Sequence, residues 1–243
     1  MDFYASISAY YDRIFPTDAK ALCFLDSGVE PGSRILDIAC GTGGYSLALA
    51  ERGHRVIGID LDRAMILSAR HKARDADEAP DFRIMDMLSM AEALDPGFDL
   101  IFCIGNSLVH LATDEQIGQL LSDCRVLLRP QGVLVLQIIN YDRILAQGLT
   151  HLPTLRDEDL EFLRFYEVDP AGGVVIFRTE LRVGREDEQR VIRNQIPLRI
   201  LGEQPLRRLL RTAGFEHPEL FGDFEGRPFG PESLPLILSA RRD

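Results

Sequence analysis

No apolar run in the 243-residue chain approaches the ~20 residues that a membrane-spanning helix needs. The first residues, MDFYASISAYYDRIF, have neither the basic start nor the apolar stretch of a secretory signal. Cysteine is sparse: Cys23, Cys40, Cys103 and Cys124 are scattered, none in a C-x-x-C pair, and the 5 histidines show no metal-ligand spacing. These absences point to reduced thiols in a cytoplasmic protein and to no metal centre. Positive charge is also scarce, with 27 Lys and Arg against 38 Asp and Glu, a net charge of −11 and a pI near 5.0. That balance opposes a broad nucleic-acid footprint and an anionic membrane surface. The expected partner is a small molecule, with no nucleic acid and no membrane, and a homo-oligomer is left open. Repeats and low-complexity segments are missing too. What the chain has is apolar mass, 46% of its residues, enough for one α/β domain with an elaboration.

The most informative stretch is Ile35 to Gly44, ILDIACGTGG. A short apolar strand reaches the acidic Asp37, then breaks into Gly41, Thr42, Gly43 and Gly44, and the amphipathic YSLALAERG follows. Strand, glycine turn and helix make a nucleotide cradle, because glycine lets the backbone approach a ligand and the helix start offers free amides. A dinucleotide would bring a pyrophosphate, which Asp37 repels, and the third glycine of G-x-G-x-x-G is replaced by Ser46. A cationic cofactor is attracted instead. S-adenosylmethionine, carrying an ammonium and a sulfonium, fits that polarity.

Two more acids follow at strand ends. HRVIGID ends at Asp60, close to the ~20-residue interval expected between a glycine loop and a ribose-binding acid. Met65 lies one turn into RAMILSARHKA, placed to pack on an adenine face. DFRIM ends at Asp86 and Met87, where a carboxylate can accept from an adenine amino group and the next amide can donate to the ring. Strands are expected at 34–38, 55–60, 81–85, 98–104 and 132–140. Helices lie between them, including TDEQIGQLLSDCRVLL with Thr113 as its cap. This alternation predicts a parallel sheet with right-handed crossovers and ligands at the carboxyl ends of its strands, where Asp37, Asp60, Asp86 and Asn106 fall.

After residue 150 the pattern changes. EFLRFYEV, VVIFRTELRV and QRVIRNQIPLRI read as strands joined by the turns DPAGG and GREDE. Val175, Phe177, Thr179, Leu181 and Val183 share one face, and Arg178, Glu180 and Arg182 the other, which reads as a solvated face. A helix, EQPLRRLLRTAG, and strands near 215–221 and 234–240 close the chain. The expected organisation is a cofactor-binding core with an N-terminal lid segment over 1–150, an inserted antiparallel lid over 151–200, and a return to the core sheet over 201–243.

ILDIACGTG, IGID and MDM resemble class I S-adenosylmethionine-dependent methyltransferases. FDLIFCIGNSLVHL, NYDRIL and the late GDF resemble, more narrowly, the glycine N-methyltransferase branch, and the likeness runs from Tyr4 to the last strand. The resemblance implies a Rossmann-like seven-stranded sheet, mostly parallel with its last strand antiparallel, and a small inserted antiparallel lid sheet. It implies that Tyr4 and Tyr11 close over the cofactor, although the tryptophan often found near the second is missing here. Asp37, Gly41, Thr42 and Gly43 would form the loop, and Asp60 would hold the ribose with Leu61 beside it. Met65, Asp86 and Met87 would hold the adenine, and Ile104 would present backbone near the methionine part. Asn106 and His110 would be the catalytic pair facing the acceptor, with Asn140 and Tyr141 lining its pocket.

Two departures stand out. The family's carboxylate-binding arginine just before NYD is Ile139 here, which disfavours glycine unless Arg178, Arg182 or Arg193 reaches in from the lid. The family's N-terminal arginine is missing near Thr17, leaving Lys20 as the nearest cation. The implied function is S-adenosylmethionine-dependent methylation of a small molecule, at nitrogen. The alternative is a non-catalytic cofactor-binding module with a regulatory or structural role.

Overall fold

Alternation of strand and helix organises the chain from Arg34 onward. The computed structural model describes residues 3–169, 171–184 and 189–243. Three helices come first: α1 (Phe3–Ile7), α2 (Tyr11–Ile14) and α3 (Ala19–Ser27). The alternating part runs β1 (Arg34–Ile38), α4 (Gly44–Ala50), β2 (Arg55–Asp60), α5 (Arg63–Lys72), β3 (Asp81–Ile84), α6 (Met90–Ala93), β4 (Phe98–Cys103), α7 (Asp114–Leu127) and β5 (Leu128–Ile139). Then come α8 (Tyr141–Gln147), β6 (His151–Asp157), β7 (Leu160–Asp169), β8 (Val174–Val183), β9 (Arg190–Arg199), α9 (Glu203–Thr212), β10 (Glu219–Phe221) and β11 (Pro235–Arg241). Of the two turns expected between β7 and β9, Pro170 and residues 185–188 lie outside the described residues, as do Met1 and Asp2.

Local chemistry places several element ends. Asp62 caps α5 by accepting from the Ala64 and Met65 amides at 2.7 and 3.2 Å. Thr113 and Gln116 form a reciprocal capping box at the start of α7. Between caps, the strands are apolar on both sides. Ile35, Leu100, Phe102, Val133 and Val135 pack with α3 and α4 residues on one face. Leu36, Ile38, Ile101, Cys103, Leu134 and Leu136 pack with α7 residues on the other. A sheet covered on both faces favours such continuous runs.

The described residues form a seven-stranded sheet in the order β10-β11-β5-β4-β1-β2-β3, parallel through β1–β5, with β11 antiparallel to β5. Chain order reverses between β1 and β4, which opens a crevice at the carboxyl ends of the central strands. A second sheet, β6-β7-β8-β9, is wholly antiparallel. The N-terminal segment is held between the two. Ile7 and Ile14 pack with Leu160, Phe162 and Leu181 of the small sheet. Arg13 pairs with Asp157 and Asp159 at 2.9 and 2.5 Å, and Asn194 Nδ2 donates to Ser6 Oγ at 2.7 Å.

Several elements differ from the periodicity reading: β4 ends one residue early, at Cys103, and β10 begins only at Glu219. β3 stops one residue early, at Ile84, and β5 starts at Leu128 because it grows directly out of α7. β6 is unforeseen: Pro153 and a register shift between Leu152 and Leu155 break its alternation, and it lies at the sheet edge, where proline is tolerated. No helix among the described residues is long and apolar enough to cross a membrane.

Candidate active site

The crevice is built on the loop after β1. Gly41 and Gly43 have φ of 56° and 77°, a left-handed backbone in which a side chain is strained, and one on Gly43 would also collide. A Cβ on Gly41 would stand 3.1 Å from the Tyr11 ring, and one on Gly43 would stand 2.4 Å from Phe82. The Gly41 amide donates to Asp60 Oδ2 at 2.8 Å, and the Asp62 amide donates to Asp60 Oδ1 at 2.8 Å. Asp60 therefore fastens the glycine loop to the end of β2. Thr42 Oγ1 donates to Asp12 at 2.5 Å, and Lys72 pairs with Asp12 at 2.9 Å, which ties α2 to the loop.

Asp37 is 3% exposed in β1, where Ser46 Oγ donates to it at 2.7 Å. Burial pushes its carboxyl up to about 7, with Asp60 acting the same way and Ser46 opposing. No cation pairs with it among the described residues. At the ends of β2 and β3, Asp86 is exposed and accepts from the Leu88 amide at 2.9 Å, Met87 is half-buried, Leu61 is exposed and Met65 is buried in α5.

The end of β4 forms the floor. Ile104 is buried, and the Gly105 amide donates to Gln137 Oε1 at 2.7 Å. Asn106 takes a φ of 69°. Its Oδ1 accepts from the Ile139 amide at 2.9 Å, and its Nδ2 donates to the Tyr141 hydroxyl at 3.1 Å. His110 Nε2 and the Tyr4 hydroxyl are 2.9 Å apart. Burial pushes the His110 imidazole down and the Tyr4 and Tyr141 hydroxyls up. Asn140 goes elsewhere: it caps α8 through the Arg143 amide at 3.1 Å and donates to the Ser233 carbonyl at 3.0 Å.

Comparison with known proteins agrees with this geometry. Residues 35–132 match a family model described as a methyltransferase domain. The chain is 30% identical over 205 residues to a glycine/sarcosine N-methyltransferase of Aphanothece halophytica, covering 83% of this chain and 74% of the relative. The chain belongs to the class I S-adenosylmethionine-dependent methyltransferases. Two solved structures share the fold of this methyltransferase. The CcbJ methyltransferase of Streptomyces caelestis has a TM-score of 0.83 at 21% identity, covering 98% of this chain and 97% of its own. An S-adenosylmethionine-bound amino pentose methyltransferase from Micromonospora echinaspora has a TM-score of 0.73 at 22% identity, covering 100% and 98%.

The residues present fit the cofactor. A buried carboxylate without a cation, beside a second one, is a site that a positively charged ligand completes. The Gly41–Gly43 turn sets the loop amides beside the Asp60 carboxylate, a polar end for the crevice. The affinity for S-adenosylmethionine is therefore expected to rise with pH toward about 7 and level off above it, as Asp37 ionises. The slope is at most tenfold, about 1.4 kcal/mol, per pH unit. The ligand-free fold runs the opposite way: its Asp37 pKa lies above the ordinary 3.8, so stability falls as pH climbs from 3.8 to about 7. Calorimetry across that range checks the first trend. Asp37→Asn should flatten it, and a pH-independent affinity in the parent protein would exclude Asp37 as the charge partner.

Several site residues escape sequence reasoning. Asp12 contacts the loop only through the tertiary fold. Ser46 carried a signal, since it occupies the third-glycine position. Arg178, Arg182 and Arg193 do not reach in. Arg178 pairs with Glu167, Arg182 with Glu161 and Glu180, and Arg193 with Glu180, all on the outer face of the small sheet. Lys20 pairs with Glu225 at 2.9 Å.

Proposed function

We propose that this methyltransferase acts on the nitrogen of a small-molecule amine. The observation that carries the reading is the absence of a strong base at the Asn106–Tyr141–His110 corner. Burial keeps the tyrosines protonated and the His110 imidazole neutral, bonded to Tyr4. An amine needs only to lose a proton before it attacks, whereas an alcohol wants a stronger base. The N-methyltransferase name of the Aphanothece halophytica relative supports the same choice.

S-adenosylmethionine supplies the methyl group: the nitrogen lone pair takes the carbon as the carbon–sulfur bond breaks, its electrons passing to sulfur. The residues of the chain align the acceptor and exclude water. The Tyr141 oxygen already accepts from Asn106, and its second lone pair can accept an amine N–H, turning the nitrogen lone pair toward the methyl. Asp86 and Met87, with Met65 and Leu61, are assigned to the adenine end and Ile104 to the methionine part. Four unpaired cysteines, one of them exposed, suit a reducing compartment, and we assign the protein to the cytoplasm.

Glycine should be a poor acceptor, because Ile139 puts no charge at the end of β5. A lost charge-assisted contact costs a few kcal/mol, so glycine turnover should lie orders of magnitude below that of the preferred amine. A labelled-methyl screen of amines, amino acids and phenols tests this, with product mass separating nitrogen from oxygen. A methylated phenol as the favoured product would sink the reading.

A further inference from the structure

The small sheet carries a further arginine whose surroundings differ from those of Arg178, Arg182 and Arg193. Strand alternation places Arg164 on the inner face of β7, between Phe162 and Tyr166, which are 0% and 4% exposed. It stands directly opposite Thr179 of β8, itself 3% exposed. Its Nη2 donates to the Pro153 carbonyl at 2.6 Å, but no carboxylate pairs with it among the described residues. Its Nε is buried without a partner, and so are the Tyr166 hydroxyl and Thr179 Oγ1.

Buried polar atoms without partners are rare in native folds, and the half-buried Arg164 carries one on its guanidinium with no counter-charge among the described residues. Here they cluster on adjacent positions of one face. One guanidinium and two hydroxyls form a donor set suited to a carboxylate. Burial also pushes the Arg164 guanidinium down, the direction that an anion would reverse. The cluster adjoins the site already described: Tyr166 and Tyr141 are buried in the same hydrophobic cluster, and Tyr141 accepts from Asn106.

We propose that Arg164, with Thr179 and Tyr166, binds the carboxylate of the methyl acceptor, an amine whose carboxylate lies more than one carbon from its nitrogen. This rests on the N-methylation reading above. Asn106 and Ile139 belong to the core sheet and its loop, whereas Arg164 belongs to the small sheet. An acceptor held from both sheets calls for a chain longer than glycine's single carbon.

The test compares glycine, 4-aminobutyrate and n-butylamine, the last having the same chain length without the carboxylate. In the parent protein kcat/KM for 4-aminobutyrate should exceed both others by about tenfold or more. Arg164→Gln should raise KM for 4-aminobutyrate by about tenfold or more with little change in kcat, and leave butylamine as it was. Arg164→Lys should recover part of the loss, Thr179→Val should show a smaller loss of the same kind, and Arg178→Gln should match the parent. Calorimetry on protein loaded with S-adenosylhomocysteine gives a second readout. Binding of 4-aminobutyrate should disappear in Arg164→Gln while the adenosyl ligand binds unchanged, which also shows that the variant is folded. Butylamine used as well as 4-aminobutyrate, or Arg164→Gln slowing both amines alike, would overturn the carboxylate site and leave N-methylation standing. Methylation of a phenol and of none of the amines would overturn both.

Discussion

Asp60→Ala should weaken S-adenosylhomocysteine binding by roughly 2–4 kcal/mol, about 30- to 1,000-fold. One part of the loss is the pair of bonds to ribose hydroxyls assigned to this carboxylate, since hydrogen bonds to charged groups are the stronger kind. The other part is the loop. Asp60 receives the Gly41 and Asp62 amides, so its removal frees both the glycine turn and the entrance to α5. The ligand would then have to order what the carboxylate now holds. Asp60→Asn keeps one acceptor oxygen but turns an NH2 toward one of those amides, and should fall between parent and alanine variant. Calorimetry gives the affinities and circular dichroism the fold. Unchanged affinity with a native-like spectrum would show that the ribose lies elsewhere.

Asn106→Ala should lower kcat by about two orders of magnitude while cofactor affinity stays within about twofold. It should also lower stability by roughly 2–4 kcal/mol. Asn106 is a positioning residue in the first instance: its amide joins the Ile139 N–H to the Tyr141 hydroxyl, and its φ of 69° turns the chain between them. Alanine would remove both bonds, leave the Ile139 amide without a partner, and occupy a left-handed conformation unfavourable to any Cβ. Asn106→Gly separates the effects, since glycine accepts the backbone conformation but restores neither bond. It should regain part of the melting temperature and none of the turnover. Parent-like kcat in Asn106→Ala would show that Tyr141 does not orient the acceptor.

The legible part of the molecule is the part encoded over short windows. ILDIACGTGG contains in ten residues an apolar strand, a buried acid and the glycines that its turn requires, so the cradle and the charge of its ligand could be read directly. The ends of β1 and β2 and the cap at Thr113 follow from equally local causes: burial on both strand faces, and a side chain that satisfies a helix-start amide. The alternation in VVIFRTELRV correctly separated the buried face of β8 from its charged one. β6 stayed hidden because a proline and a register shift disguise an edge strand, and only pairing with β7 makes it one. Asn140 looked like a pocket residue by its place after β5, but the fold brings Gly230 and Ser233 against it and claims its amide. Arg164 lay in plain alternation between Phe162 and Tyr166, yet nothing in that pattern says which arginine finds a glutamate. Arg178, Arg182 and Arg193 find theirs on the outer face, and Arg164 stands across from Thr179 with none among the described residues. Periodicity assigns a residue to a face within its own strand; which face meets the site, and what stands opposite, depends on contacts between residues tens of positions apart.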